Sequence, residues 1–350
     1  MRRAGAAAVV TAVLLSAFAV SGTAQALGMR PQPIDPSASP LPSTPSTPSA
    51  PAQDTLAGLY STTSMELVLL ERRKGAKAAL KELERRITAN PRLAGVCHAV
   101  AHDLGHEAYT EAHGVAATAL AARNDVCGGG YTHGIVELAL GSSKHPARDL
   151  LTVCAPSQDG SCFHGVGHGL MFATGMNVAR SIDLCDRAPS RMLAARCGEG
   201  VFMQLFGSDV GGGHAAPGSP RLTPDSARAT CAATRSPYSA NCWFYAPTVW
   251  LAVHPDDFAG AMAWCASAGG DSGRPLCARG VGSRTIKYHP DDPSIGAAVC
   301  SAAGRLEDAC LAGMGSYWSV HHKGRVPPSD VCRHLGSSAL ETRCLAANRA

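Results

Sequence analysis

Apolar residues at the start of the chain form one nearly unbroken run. The run covers residues 4–20 behind two arginines, and small residues follow at Ala24 and Ala26. A basic start, a short apolar run and small residues at the cleavage positions are typical of a secretory signal peptide. Because the run is shorter than the about 20 residues of a comfortable membrane span, we predict a cleaved signal over 1–26. A retained single-pass anchor is the alternative.

The stretch that follows lacks any regular alternation of apolar and polar positions. Residues 27–54 are rich in Pro, Ser and Thr and carry almost no charge. Such a segment cannot bury enough apolar surface to offset the entropy of ordering it. We therefore predict a disordered linker between the signal and a folded domain.

Beyond the linker, apolar residues recur at spacings of three and four. In the segment that begins at Pro255, for example, Phe258, Ala261 and Cys265 fall roughly on one helical face. A Gly/Ser-rich turn follows, and a second helix is expected near Cys277. This pattern predicts an all-α domain over 55–350 that is built from helical hairpins.

The hairpins recur with a fixed period. Cys127, Cys162 and Cys197 are spaced 35 residues apart, and His-Pro-Asp-Asp occurs at 254–257 and again at 289–292. A period in this range is typical of hairpins stacked into a solenoid, so we predict a right-handed α/α-hairpin repeat solenoid. Glycines three positions after a cysteine would let neighbouring helices approach closely. They are Gly130, Gly165, Gly200, Gly280 and Gly313.

Fourteen cysteines follow the apolar run. An even, regularly spaced set behind a signal peptide predicts a disulfide framework, and zinc ribbons are disfavoured because the sequence contains no Cys-x-x-Cys. The sequence does not prove the connectivity, but nearest-neighbour pairing is the economical arrangement. It gives Cys154–Cys162, Cys185–Cys197, Cys231–Cys242, Cys265–Cys277, Cys300–Cys310 and Cys332–Cys344, and it leaves Cys97 with Cys127.

Paired cysteines about ten residues apart, repeated every thirty-odd residues with Gly after the second, resemble the cysteine-rich Sel1-like repeat proteins. These are relatives of the tetratricopeptide arrays. The resemblance covers roughly residues 150–350 and concerns fold and spacing only. It implies one disulfide per hairpin and a role in binding partners, and it implies no catalytic residue.

Charge and aromatic content restrict the partners. The net charge is only +4, and no basic cluster is interleaved with aromatic residues, so we expect no nucleic-acid partner. We expect a secreted or extracytoplasmic monomer, with cell-surface association left open and no transmembrane segment in the mature form. Aromatic residues in a His-poor half, about 225–350, would suit a peptide, protein or glycan on the concave face if exposed; core packing is the alternative. They are Trp243, Tyr245, Trp250, Tyr317 and Trp318.

Histidines are concentrated in the other half of the domain, about residues 90–210. Several are spaced by four residues, which places them on one face of a helix. The spaced pairs are His98–His102, His102–His106, His133–Glu137 and His164–His168.

These pairs fall in one register. Counted from the preceding cysteine, His164 and Glu199 are both at position plus two, and His133 and His168 are both at plus six. Equivalent residues of successive packed helices lie side by side, so the side chains are expected to converge. Because the thiols are expected to be oxidised, nitrogen and oxygen ligands would hold one or two ions of Zn, Fe, Cu or Mn. The predicted metal ligands are His98, His102, His106, His133, Glu137, His164, His168 and Glu199.

A metal with an open coordination position would support a metal-dependent oxidoreductase or hydrolase. Glu137 and Glu199 are the candidate general bases, and Glu107 is weaker because it is one residue off the histidine stripe. The alternatives are a non-catalytic Sel1-like scaffold with hydrogen-bonded core histidines and a pH-responsive histidine patch.

Overall fold

The computed structural model describes residues 55–124, 126–155, 159–207, 222–268, 270–322 and 326–349. The predicted signal peptide (1–26) and linker (27–54) lie outside the described residues. Within those ranges the chain forms helices and no strand, which confirms the all-α prediction.

The helices of the described residues follow one another through short connections. In chain order they are α1 (Leu56–Lys74), α2 (Ala76–Ala89), α3 (Cys97–Glu111), α4 (Ala116–Leu120), α5 (Gly130–Gly141), α6 (Pro146–Val153), α7 (Gly160–Ala173), α8 (Val178–Cys185), α9 (Arg191–Phe206), α10 (Pro224–Ala233), α11 (Tyr238–Tyr245), α12 (Pro247–Val253), α13 (Phe258–Ala266), α14 (Gly270–Tyr288), α15 (Pro293–Ser301), α16 (Glu307–His321) and α17 (Ser338–Ala347). Short 3-10 helices cover Pro91–Gly95, Val126–Gly129, Gly304–Leu306 and Pro328–His334.

Side-chain caps fix where many of these helices begin. The carboxylate of Asp159 accepts a hydrogen bond from the amide of Cys162 at the start of α7, and Asp257 does the same for Gly260 at the start of α13. Such caps satisfy amide groups that have no partner within the helix. Because Asp257 is the cap, α13 begins three residues after Pro255, where the sequence predicted its start.

An inner series of helices contains the four most extensively packed helix pairs of the described residues. The helices α3, α5, α7, α9, α11, α14 and α16 each pack on the next, and other helices lie between them along the chain. The predicted close approach at glycine is confirmed: a Cβ at Gly200 would overlap the carbonyl oxygen of His164, and one at Gly313 would overlap that of Arg279. The small residue thus lets one backbone lie directly against the next.

Six disulfides join these helices in the predicted nearest-neighbour pattern. In α13 and α14, for example, Cys265 near the end of the shorter helix is bonded to Cys277 of the inner helix. Closing such a short loop restricts the unfolded chain and so stabilises the hairpin.

The predicted Cys97–Cys127 disulfide is wrong: both residues are buried and stand outside the six disulfides. In four of the bonded pairs the first cysteine lies on a helix outside the inner series and the second on an inner helix, and in a fifth Cys154 immediately follows α6 and is bonded to Cys162 of α7. Cys97 opens α3, and Cys127 lies in the 3-10 helix Val126–Gly129 that leads into α5, so both are at the position of an inner-helix cysteine. A bond between them would join two neighbouring hairpins and not the two helices of one hairpin.

The last inner helices also contact the beginning of the domain. Val320 of α16 packs against Gly128, and the carbonyl group of Lys287 in α14 lies against Gly95. In a simple open solenoid each repeat touches only its neighbours. In this protein, by contrast, α14 and α16 contact the segments that lie before and after α3 in the chain.

Three of the predicted partner-binding aromatic residues, Trp243, Tyr245 and Trp318, are buried, so core packing accounts for them. A search of the described ranges finds no helix with the length and apolarity that crossing a membrane requires.

Candidate metal centre

Three inner helices bring the predicted histidines together. His98 and His102 lie on α3, His133 on α5, and His164 and His168 on α7. Neighbouring ring centroids lie between 4.5 Å, for His133 and His164, and 6.5 Å, for His98 and His164. Four of the five side chains are buried, and His98 is half-buried.

Glycines account for this closeness. A Cβ at Gly134 of α5 would overlap the carbonyl oxygen of His102, and one at Gly130 would lie too close to the carbonyl oxygen of His98. The backbone of α5 is therefore seated directly on the part of α3 that carries these histidines. Both His98 and His102 are thereby held within reach of His133.

The best-defined group consists of His98, His102 and His133. Nε2 of His98 lies 3.1 Å from Nε2 of His102 and 3.4 Å from Nδ1 of His133. Zinc–nitrogen bonds of about 2.0–2.1 Å in a tetrahedral site place ligand nitrogens about 3.3–3.4 Å apart. These two separations are close to that value, and potential ligand atoms of all three residues lie within 4.8 Å of one another, so the residues fit such an ion.

The second ring nitrogen of each histidine in this group faces an oxygen atom. Nδ1 of His98 is 2.7 Å from the carbonyl oxygen of Cys127, and Nε2 of His133 is 3.1 Å from the hydroxyl of Ser161. Nδ1 of His102 is 3.4 Å from a carboxylate oxygen of Glu137. An outer N–H that donates to oxygen fixes the tautomer and turns the lone pair of the inner nitrogen toward the centre, as in metal-bound histidines.

A hydrogen bond between two of these histidines is the competing explanation. If Nε2 of His102 donated to His98, the lone pair on Nδ1 of His102 would face the carboxylate of Glu137, and two acceptors would oppose each other. A cation among the three inner nitrogens avoids that conflict. Burial and the neighbouring histidines lower the pKa of His133 well below its usual value, and the neutral imidazole is the form that binds metals.

His133, His164 and His168 form a second group whose potential ligand atoms lie within 4.8 Å of one another. Nδ1 of His168 is 2.8 Å from the side-chain oxygen of Gln204, and Nε2 of His164 is 3.1 Å from the sulfur of Met203. Burial, followed by the charges of His133 and His168, lowers the pKa of His164 well below its usual value.

A third group consists of His102, His106 and Glu137. One carboxylate oxygen of Glu137 is 3.2 Å from Nε2 of His106, and the other faces His102. Burial alone lowers the pKa of His106, but the hydrogen bond and charge of Glu137, together with the charge of Asp103, raise it overall. Glu137 is thus a buried carboxylate shared by two imidazoles of α3.

The three candidate general bases have different surroundings. Glu137 is buried among histidines, whereas Glu199 is part of a cavity wall, forms an ion pair with Arg196 and lies 3.6 Å from Nδ1 of His164. Burial raises the pKa of Glu199 against the opposing charges of Arg196 and Arg279. Glu107 is paired with Arg72 of α1, so its carboxylate is engaged outside the histidine groups.

A cavity of about 430 Å³ adjoins the histidines. His98, His133 and His164 form part of its wall, and Cys97 and Cys127 lie beside them. Within the His98–His102–His133 group, His98 and His133 are therefore accessible from one side to a small molecule in the cavity.

Sequence reasoning missed several side chains at this centre. Met203 is at position plus six from Cys197, the same register as His133 and His168, so the repeat could have indicated it. Gln204 is one residue further on. Ser161 precedes Cys162 by one residue, and no motif marked its contact with His133.

No protein-family model, no curated protein and no solved structure matches the chain.

Proposed function

We propose that this chain is a metalloprotein that binds one or two transition-metal ions through histidines of its inner helices. The observation that carries the proposal is the His98–His102–His133 group. Two separations among its inner nitrogens, 3.1 Å and 3.4 Å, suit one ion, and each outer nitrogen faces an oxygen. The primary site is assigned to these three side chains, with Glu137 orienting His102.

The donors favour particular ions. Imidazole nitrogen with nearby carboxylate oxygen suits Zn, Fe, Cu and Mn, and the thioether of Met203 adds a soft donor next to His164 that suits copper. A second ion is assigned to His164 and His168. His133 belongs to both groups. An ion bound in one group therefore determines which ring nitrogen of His133 is left for the other group.

The proposed chemistry is metal-dependent hydrolysis or oxidation–reduction in the cavity. Three protein ligands leave a fourth position for water or substrate, as in catalytic zinc sites. Of the candidate general bases, we assign the role to Glu199, because its carboxylate is in the cavity wall and its pKa is raised. Glu137 is assigned a supporting role, because the histidines surround it.

We also propose that the helices form a hairpin repeat array and that the chain is exported from the cytoplasm. Glycine–carbonyl contacts recur between successive inner helices, which supports a hairpin repeat array. Six disulfides support an oxidising, extracytoplasmic compartment.

The test is metal analysis of the folded, exported protein, followed by titration of the metal-free form. We expect at least one transition-metal ion per chain. Single alanine variants separate the three groups: His98 belongs only to the first, His168 only to the second, and His106 only to the third. We expect His98→Ala to remove the primary ion and to weaken binding by at least about 100-fold, because losing a ligand should cost at least as much as losing an outer-shell partner, which costs about 10–100-fold.

His145→Ala is the matched control, because His145 is exposed and belongs to none of the three groups. It should bind metal like the parent chain. Thermal unfolding of each metal-free variant shows whether the fold is retained. A well-folded parent chain that takes up none of Zn, Fe, Cu or Mn would refute the metalloprotein and favour the scaffold with structural histidines.

A further inference from the structure

The cavity beside the histidines has a cationic part of its wall that the metal groups do not use. Arg279, Arg284 and Lys287 of α14 line it, together with Arg196 and Glu199 of α9. The described lining residues therefore include four cationic side chains and one carboxylate, which leaves a surplus of three positive charges. Glu199 is already paired with Arg196 and lies within the field of Arg279.

Arg284 is the most informative of these residues. Only 3% of it is exposed, its Nε donates to the hydroxyl of Thr248 at 3.1 Å, and its guanidinium lies 5.1 Å and 5.0 Å from the rings of Phe244 and Tyr245. Its Nη2 is buried and has no hydrogen-bond partner among the described residues. A buried cation with an unused donor is costly unless an anion completes it.

The surroundings of Arg284 indicate what kind of anion fits. The two rings hold the guanidinium plane in place, which suits the planar, forked geometry by which arginine binds carboxylates. Phe244, Tyr245 and Tyr317 also line the cavity, and they provide apolar surface for an organic body. A volume of about 430 Å³ is within the range of small-molecule sites.

We propose that the cavity binds a small organic carboxylate, whose carboxylate group is held by Arg284 and Lys287 and whose body contacts the aromatic residues. The remainder of the molecule faces the part of the wall formed by His98, His133 and His164. The carboxylate would then be the substrate class of the metal centre. That last step depends on the proposed metalloprotein function, whereas binding of the carboxylate does not.

The experiment measures binding of benzoate and of its uncharged analogue benzamide to the metal-free full chain by isothermal titration calorimetry. Removing the metal prevents benzoate from coordinating an ion directly. We expect benzoate to bind and benzamide to bind at least about 30-fold more weakly, because only the carboxylate completes the buried charge. Arg284→Gln should weaken benzoate binding by a similar factor, and Lys287→Met should weaken it in the same direction.

Arg228→Gln is the matched control. Arg228 of α10 also lies over an aromatic ring, that of Trp264 at 5.5 Å, and donates to a hydroxyl, that of Ser267 at 3.1 Å, but it does not line the cavity. Its replacement should leave benzoate binding unchanged. Thermal unfolding identifies any variant that fails to fold, and Lys287→Met then provides the second measurement.

Equal binding of benzoate and benzamide, no binding of either, or unchanged binding in folded Arg284→Gln and Lys287→Met would overturn the proposal. Binding of inorganic phosphate in preference to benzoate would overturn the carboxylate assignment. A chain that binds benzoate but no metal contradicts only the metalloprotein, and a chain that binds metal but not benzoate contradicts only the carboxylate site.

Discussion

Glu71 of α1 is an acidic side chain with no exposed surface, and neither of its carboxyl oxygens has a hydrogen-bond partner among the described residues. Burial, reinforced by the charges of Glu111 and Glu107, raises its pKa to about 8. Burial penalises only the charged form. The packing around α1 therefore holds this residue as a neutral acid near pH 7.

This raised pKa makes stability depend on pH. An unperturbed glutamate titrates at 4.5 and Glu71 at about 8, so between these values the folded state binds more protons than the unfolded state. Stability is then fully present below about pH 4.5 and is lost as the pH rises through about 8. From about pH 6 to about pH 9 we expect the free energy of unfolding to fall by about 2–3 kcal/mol. Urea unfolding of the metal-free protein from about pH 6 to about pH 9 measures it.

Glu71→Gln keeps the size of the side chain and removes its titration. The variant should show a clearly flatter dependence of the urea midpoint on pH than the parent chain. If both proteins lose stability in parallel, other groups cause the effect and the assignment to Glu71 is incorrect.

The sequence revealed much about individual residues wherever the repeat register applied. Positions plus two and plus six after a cysteine identified His133, His164 and His168, and Met203 shares the register. The register did not reveal which side-chain atoms meet. The approach of His98 to Cys127 depends on a carbonyl group in a left-handed turn, and such a contact between distant segments leaves no local spacing pattern.

At the scale of helices, glycine determines how closely the inner series packs. Gly134 of α5 lies against the carbonyl group of His102, and Gly313 of α16 lies against that of Arg279. The two contacts are alike in geometry, but only the first joins two helices that carry metal-group histidines. They form a matched pair for separating stability from metal binding.

Gly134→Ala should move α5 away from α3 and thereby separate His133 from His98 and His102. The added methyl group meets a backbone carbonyl that cannot rotate away, so we expect a loss of about 1–3 kcal/mol of stability. We also expect at least about 10-fold weaker metal binding, since ligand positions must hold to within about 0.5 Å. Metal titration and urea unfolding of the same preparation provide both measurements.

Gly313→Ala is the control for that experiment, and it should cost similar stability while metal binding remains close to that of the parent chain. Equal weakening of metal binding in both variants would mean that general destabilisation, and not the separation of α3 from α5, explains the loss.

The sequence also predicted the hairpins, because cysteines and capping residues mark them locally. Cys265 of α13 is bonded to Cys277 of α14, and Asp257 caps α13. The second helix was expected near Cys277 but begins at Gly270, within the Gly/Ser-rich segment that was predicted as the turn. The sequence predicted no contact between the first and last helices. Val320 meets Gly128 across nearly two hundred residues, and periodicity carries information only about neighbouring repeats.

These long-range contacts determine how the helical domain is expected to unfold. The histidine groups lie on α3, α5 and α7, whereas all four tryptophans, at positions 243, 250, 264 and 318, lie in the other half of the domain. In an open array, an ion in one half would stabilise distant repeats only weakly. Here residues of helices from α3 to α16 line one cavity. Unfolding of either half of the domain would therefore expose cavity-lining residues of the other half to solvent.

We therefore expect metal binding to raise the unfolding midpoint reported by tryptophan fluorescence as much as the midpoint reported by far-ultraviolet circular dichroism. At a free metal concentration about 100 times the dissociation constant, both probes should report about 2.7 kcal/mol of added stability for one site. In His164→Ala/His168→Ala the contribution of the second site should be lost from both signals equally. If metal shifts the dichroism midpoint while the tryptophan midpoint stays fixed, the two halves unfold independently, and the contacts of Val320 and Lys287 with the start of the domain do not couple them.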